Sequence, residues 1–405
     1  MTGLNATVPS MLSDRLVRLA VGAALTAAAL AVAWAVWVHN LERSCTLGQW
    51  PGLAICTPAD QTVASQTLDL QKRVARNPGD AEAWIRLALL TNQPGSSFER
   101  EGAAALETAT RLSGQDYRVQ RLQAAAALMQ ARWADAVTWL VRLIQDNNNN
   151  DAALALASLL RQPQALAAMQ AQVRPDARWL GPVIDALPRA GLPTVVAMPV
   201  IVQALQQKAM TPELIQQVIK GLKVNGDWLD AHALWTAWLG RPVDLVFNGS
   251  FDQGFLPGGF DWEILPAAQS KAGALVSQVG LAGHGGVLQV EFSGRPLAVL
   301  PVIRQHLVLL DRRYVLTGQF MTSKLTSSEG LAWSLHCAAG GREIAHTVAL
   351  TDTAGQWRSF SLEFEIPPAC GPAVALQLRP FAVYEAATGM RGQAAFDDFR
   401  LKSSP

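Results

Sequence analysis

Charge is scarce in this chain. Of 405 residues, 16% are Asp, Glu, Lys or Arg, against about 25% in an average globular protein. Lys and Arg number 33 and Asp and Glu 32, a net charge of +1, so no global basic field draws nucleic acid by counterion release. Cysteine is almost absent at four residues. No Cys-x-x-Cys, His-x-x-x-His or His-Glu-x-x-His spacing occurs, which removes the usual zinc signatures. The Gly-x-Ser-x-Gly elbow is missing too, so Gly283-His284-Gly285-Gly286 reads as a turn before a strand rather than an oxyanion loop. The 31 Gly and 22 Pro are scattered, which excludes collagen-like and low-complexity chains. What is abundant is apolar: 50% of residues, enough to exclude a largely disordered chain. The length suggests two to three domains at about 150 residues each.

The longest uncharged run is Leu19 to Val38, with Trp34 and Trp37 near its far end. About twenty apolar residues in a helix match the ~30 Å hydrocarbon core, and indoles favour its interface. Arg15 and Arg18 precede the run and Glu42 and Arg43 follow it, an asymmetry that points the N-terminus to the cytoplasm. The alternative is a cleaved signal peptide ending at Ala31-Val32-Ala33. Under either reading the rest of the chain lies outside the cytoplasm. The expectation is a single-pass bacterial inner-membrane protein: residues 1–18 cytoplasmic, 19–38 transmembrane, a linker over 39–59 and the bulk in the periplasm. Cys45, Cys56, Cys337 and Cys370 all follow the run. Two local disulfides, Cys45 with Cys56 and Cys337 with Cys370, suit an oxidising compartment.

From 60 to 240 apolar residues recur at helical spacing. Asn77-Pro78-Gly79-Asp80 opens one helix, with Asp80 as its cap and Trp84, Leu87 and Ala88 on one side. Tyr117 to Met129 and Trp133 to Ile144 form a pair joined near Ala131-Arg132. Arg132-Trp133-Ala134-Asp135-Ala136 recurs as Asp227-Trp228-Leu229-Asp230-Ala231. These motifs resemble tetratricopeptide repeats, well over 77–150 and more weakly over 151–240, where Asn147 to Asn150 and the six prolines from Pro163 to Pro199 break the period. The resemblance implies a stacked α-helical solenoid whose concave surface holds an envelope protein partner. Trp84, Trp133, Trp139, Trp228, Trp235 and Trp238 are read first as packing residues.

At Arg241-Pro242 the pattern changes to short alternating runs divided by Gly, Pro, Asp and Ser, such as Val287 to Phe292, Leu331 to Cys337 and Trp357 to Ile366. These are strands of an antiparallel β-sandwich over 243–402. Phe247-Asn248-Gly249-Ser250-Phe251-Asp252, Gly355-Gln356-Trp357-Arg358-Ser359-Phe360 and Phe396-Asp397-Asp398-Phe399-Arg400-Leu401 resemble the opening, middle and closing strands of carbohydrate-binding-module-like jelly rolls. The fold class expected is multidomain α + β: a transmembrane helix, a helical solenoid and a jelly roll.

That resemblance implies a structural calcium, held by Asp252, where glutamate is commoner, with Asp397 and Asp398; clustered carboxylates suit a hard cation. It also implies glycan stacking on exposed rings. The aromatic candidates are Trp333, Tyr384, Trp262 and Trp357; Trp262 and Trp357 hold framework positions and read first as core. No nucleophile and base, acid pair or metal set announces an enzyme. His336 and His346 can face one another across adjacent strands, and Asp261 with Glu263 is one unspecific carboxylate pair. The expected role is a non-catalytic, membrane-anchored scaffold or adaptor in exopolysaccharide or envelope assembly, binding protein and polysaccharide. The alternative is a purely protein-binding structural component.

Overall fold

The structure, a computed structural model, describes residues 63–91, 99–265, 273–297 and 300–404. The segment Leu19–Val38 and the pair Cys45 and Cys56 lie outside these residues. Among the described residues no helix is long and apolar enough to cross a membrane. The chain divides into two compact units, 1–113 and 114–405, so the helical stretch read as one region is split at Ser113.

The first unit contains helices α1 (Val63–Arg76), α2 (Ala81–Thr91) and α3 (Glu99–Ser113). Asp80 caps α2 by accepting the Ala83 amide at 3.0 Å and holds Arg73 at the end of α1 at 2.7 Å. Two of the first orphan amide and cation groups are thereby satisfied from one carboxylate. The Trp84 indole N–H donates to the Pro78 carbonyl at 2.8 Å, and Ala83, Ile85, Leu87 and Ala88 are buried behind it.

The second unit opens with the helical hairpin α4 (Tyr117–Met129) and α5 (Trp133–Asn147). Asp116 caps α4, and Ala131 turns the chain with φ 53°. The asparagine run then works as two caps back to back. Asn148 ends α5 in the left-handed region, while Asn149 accepts the Ala152 amide at 2.8 Å to start α6 (Asn150–Ser158); Asn tolerates both roles. Helices α7 (Pro163–Ala171), α8 (Leu180–Ala186) and α9 (Met198–Gln206) are seven to nine residues long. Pro163 and Pro199 sit in the first turns of α7 and α9, where the missing N–H costs nothing. This stretch is helical without a uniform two-helix period. α10 (Pro212–Asn225), capped by Thr211, and α11 (Trp228–Leu239) close the helical part at Gly226 and Gly240, both left-handed.

Among the described residues ten strands follow: β1 (Glu263–Ile264), β2 (Ala274–Leu281), β3 (Gly285–Ser293), β4 (Ile303–Val308), β5 (Arg313–Thr326), β6 (Leu331–Cys337), β7 (Glu343–His346), β8 (Arg358–Glu365), β9 (Ala373–Pro380) and β10 (Arg391–Ser403). They form two antiparallel five-stranded sheets, ordered β1-β4-β9-β6-β7 and β2-β3-β10-β5-β8. A short helix, α12 (Glu385–Thr388), lies between β9 and β10. Strict alternation in β8 sends Phe360, Leu362 and Phe364 inward. At the centre, Trp333 lies 5.6 Å from Trp262, 5.2 Å from Phe396 and 4.9 Å from Phe399, all edge-on. Edge-to-face rings match the aromatic quadrupoles. The disulfide Cys337–Cys370 joins the end of β6 to the turn before β9 with Cα atoms 5.0 Å apart. Closing its loop limits the unfolded chain by about 4 kcal/mol in the loop-entropy view.

The helices and the sandwich of this second unit share a seam. Trp235 of α11 is fully buried against Phe247, at 4.8 Å, and Phe260, at 5.6 Å. Gly259, at φ 69°, passes so close that a Cβ there would overlap the Trp235 indole. Only glycine gives both that backbone angle and that approach.

Candidate functional site

Two of the four expected sugar-stacking rings are unavailable to any ligand. Trp333 has no exposed surface and Trp262 is 3% exposed; both are core. The residues of β6 show why: Leu331, Trp333, Leu335 and Cys337 alternate with Ala332, Ser334 and His336, so Trp333 shares the apolar side. Trp357, read first as core, is instead half-buried, its ring stacked on His284 at 4.2 Å and 21°. Tyr384 is 57% exposed, as a ligand ring should be, and its hydroxyl meets Ser328 at 2.7 Å.

The carboxylates expected to hold calcium are each committed elsewhere. Asp252 accepts the Gly286 amide at 2.9 Å. Asp397 faces the His284 ring nitrogen at 2.9 Å and accepts the Asp398 amide. Asp398 pairs with Arg400 at 2.7 Å and sits in a bulge at φ 58°. Burial raises the Asp397 carboxyl above its usual range despite the His284 contact. No group of three or more His, Cys, Asp or Glu able to hold a metal occurs among the described residues.

Strand register gathers a different set of residues. Side chains of directly paired residues in an antiparallel sheet share a face. The pairings Glu263 with Arg304, Arg304 with Gln377, Gln377 with Ser334 and Ser334 with His346 therefore draw one polar row across all five strands of the first sheet. Beside it run His306, Ala375 and His336, and on the other side Arg379 and Ala332. This is the face turned away from Trp333, Leu335 and Leu378. Its positions on β4, β9 and β6 are buried or half-buried.

Two carboxylates organise the face. Glu343 of β7 takes both its oxygens to Arg379 at 3.0 Å, meets the His346 ring at 2.6 Å and lies 3.9 Å from His336. Burial alone would raise its pKa, but these three basic neighbours bring it below the usual carboxylate range. The His336 ring is held on both sides, by Ser334 Oγ and the Gly341 carbonyl, each at 3.0 Å. Glu263 of β1 is bound by Arg304 at 2.7 Å, with His306 at 3.7 Å and Lys223 of α10 at 3.9 Å. Burial opposes ionisation here too, yet His306 and Arg304 hold Glu263 down to about 2. Burial pushes Lys223 down to about 8, with Glu263 opposing. The same desolvation lowers His306.

The helices wall one side of this face. The Trp228 ring of α11 lies 5.1 Å from His306, and Lys223 lies over Phe260 at 4.3 Å while donating to the Gly259 carbonyl. At the opposite edge His346 meets Phe381 edge-on at 5.5 Å. His336 and His346 do sit on adjacent strands, joined through Glu343 rather than directly. Asp261 and Glu263 are no acid pair: Asp261 accepts the Leu256 and Trp262 amides, both at 2.7 Å, inside a turn where burial raises it to about 6. Sequence reasoning passed over Arg304, Gln377, Glu343 and Arg379. The available signal was the alternation itself, which sides each with polar residues on its strand.

A scan against protein-family models and a search of curated proteins return no match. Solved structures similar to the chain are mostly carbohydrate-binding modules, which match its C-terminal β part. One is a CBM4 structure, at 14% identity and TM-score 0.30, covering 39% of this chain and 99% of that one. Another is the CBM22-1 xylan-binding domain from Paenibacillus barcinonensis Xyn10C, at 14% identity and TM-score 0.28, covering 38% and 91%. A third is TmCBM61 in complex with beta-1,4-galactotriose, at 13% identity and TM-score 0.23, covering 40% and 100%. Values this low carry no argument about what this chain binds.

Proposed function

We propose that this chain is a non-catalytic, membrane-anchored scaffold that holds polysaccharide outside the cytoplasm. The observation that carries the reading is the polar row Glu263, Arg304, Gln377, Ser334 and His346, one side chain from each strand of one sheet. A linear polymer laid across such a row meets Glu263, Arg304, Gln377 and His346 as fixed donors and acceptors, with Ser334 buried beneath them, and oriented polar groups are what confer specificity on a polysaccharide. Tyr384 supports the reading as an exposed ring. Leu19–Val38 supplies the anchor and the bacterial periplasm the compartment, and the tetratricopeptide-like helices dock an envelope protein. Exopolysaccharide or envelope assembly is the setting these parts suit.

The test is affinity electrophoresis of the full chain through gels that contain neutral or acidic polysaccharides. Retardation should be strong for at least one polymer and fall about tenfold in Gln377→Ala, whose lost hydrogen bonds leave the core untouched. A chain retarded by none of them would sink the reading. A second reading, a purely protein-binding component, draws on one observation: the outward positions of these five strands carry no Phe, Tyr or Trp. A periplasmic-active phosphatase fused to Pro405 tests the compartment; an inactive fusion would overturn it.

A further inference from the structure

The three tryptophans of the sandwich have different surroundings. Trp262 and Trp333 are core, 3% and 0% exposed. Trp357 stands one residue before β8 and keeps part of its ring in solvent. Its plane is set by His284, parallel to within 21° at 4.2 Å. His284 is itself held by the buried Asp397 at 2.9 Å, and the other oxygen of that carboxylate accepts the Asp398 amide. Gly283 and Gly285 flank His284 at φ 85° and 73°, angles that glycine adopts without strain. A Cβ on Gly285 would overlap the Asp252 carboxylate, which accepts the Gly286 amide at 2.9 Å. An indole oriented in this way outside the core is a preformed stacking platform.

Strand register sets neutral polar groups beside it on the outer face of the second sheet. Asp397 pairs with Gln319, and Gln319 with Ser359. Glu291 pairs with Gln393 on the same face. One oxygen of Glu291, Oε1, accepts the side-chain amides of Gln289 and Gln393 at 2.9 and 3.3 Å, which leaves Oε2 to accept from a ligand hydroxyl. Glu291, Gln393 and Ser359 are exposed, and Gln289 and Gln319 are half-buried, so a ligand reaches them. No Lys or Arg stands among these residues, and Glu291 repels a polyanion. Leu275, 50% exposed, is the one exposed large hydrophobic residue of this sheet among the described residues, too little apolar surface for the core of a protein interface. From β3 to β8 there are three strand intervals, about 14 Å at ~4.8 Å per strand. That width exceeds one sugar ring.

We infer that this face binds a neutral oligosaccharide stretch, one sugar stacked on Trp357 and its neighbours hydrogen-bonded to Gln319, Gln393 and Glu291. The site lies on the other sheet from the row Glu263 to His346 and stands without it. The stack supplies the apolar contact that the row lacks, because sugar C–H surfaces pack on an electron-rich ring face. The amides of Gln319 and Gln393 each offer a donor and an acceptor, and the Glu291 carboxylate offers acceptors only. Hydroxyls are both donor and acceptor and satisfy all three, whereas a uronate carboxylate would meet Glu291 with like charge. The exposed positions of these groups also mean that little desolvation opposes binding, in contrast to the paired ions of the first sheet.

The experiment is calorimetric titration of the full chain in detergent with the neutral hexasaccharides cellohexaose, xylohexaose, mannohexaose and maltohexaose, and with hexagalacturonate. A hexasaccharide is too short to wrap from one outer face to the other. At least one neutral ligand should bind, with an affinity that falls about tenfold in Trp357→Ala, the scale of one lost ring stack, and returns in part in Trp357→Phe. Gln393→Ala should weaken the same ligand, and Gln377→Ala on the first sheet should leave it unchanged. Circular dichroism should show each variant folded. Hexagalacturonate bound as tightly as the neutral ligands would overturn the neutral class. Neutral binding that falls in Gln377→Ala and persists in Trp357→Ala would overturn this face and keep the polysaccharide reading of the first sheet. No neutral hexasaccharide bound would overturn the inference, while retardation in the polysaccharide gels would still decide that reading separately.

Discussion

The two sheets of the sandwich share one inner chemistry and differ in their outer ones. Inward, both send Leu, Val, Phe and Trp into a common core. Outward, β2-β3-β10-β5-β8 carries Ser277, Gln289, Met321 and Ser323, with exposed Glu291 and Gln393. That is a solvated surface, where even charged pairs such as Arg313 with Glu365 stand exposed and cost and contribute little. The other sheet puts ionisable groups on half-buried positions and satisfies them pairwise. Desolvation is expensive for a charge unless partners repay it, so a face of this kind marks an arrangement that the fold maintains against a cost. The helices supply part of it, since α10 and α11 bring Lys223 and Trp228 against β1 and β4.

The largest effect should come from what the sheets share. Trp333→Ala is expected to cost about 3–5 kcal/mol in urea unfolding, as for other buried aromatics, whereas Trp357→Ala should cost under about 1 kcal/mol. Equal costs would mean that Trp333 is not core. Next, Lys223 sharpens the contrast through pH. Its folded pKa of about 8 lies below its ordinary 10.5, so the unfolded chain binds more protons between those values and stability rises as pH increases from 8 to 10.5. The shift corresponds to about 3 kcal/mol. Lys223→Met should abolish that rise and leave the protein as stable or more so near pH 7; a variant less stable by more than ~1 kcal/mol would show a net favourable lysine.

Glu263 has the opposite sign. Its pKa is depressed from 4.5 to about 2, so its contribution is present above pH 4.5 and is lost as pH falls through 2. Acid unfolding of Glu263→Gln should begin at the same pH as that of the parent only if this carboxylate is not engaged as described. The smallest effects compare one glutamate from each outer face. Glu343→Gln should destabilise by about 1–2 kcal/mol, since Arg379, 13% exposed, loses its charged partner. Glu291→Gln on the other sheet should stay within about 0.5 kcal/mol. Indistinguishable values would erase the difference between the faces.

Much of the architecture could be read along the chain. Asp80, the asparagine run and Thr211 act as helix caps, and their side-chain chemistry does that locally. Alternation in β8 and β6 sorted inner from outer residues, and its neglect at Trp333 produced the misplaced ligand ring. No local pattern shows that His284, 113 residues from Asp397, faces its carboxylate. Helical periodicity marked the first hairpins, and the short helices between Asn150 and Gln206 gave no uniform period to extend it.

By itself the sequence determined which segments are helix or strand, which side of each strand is apolar and that Cys337 and Cys370 belong to one domain, because periodicity, caps and composition act over a few residues. Only the tertiary structure decided that Arg379 reaches Glu343 across 36 residues, that Glu263 joins Lys223, and that Trp228 from a helix walls a sheet. Those meetings depend on strand register and on packing between distant segments, and both are set by the whole folded chain at once.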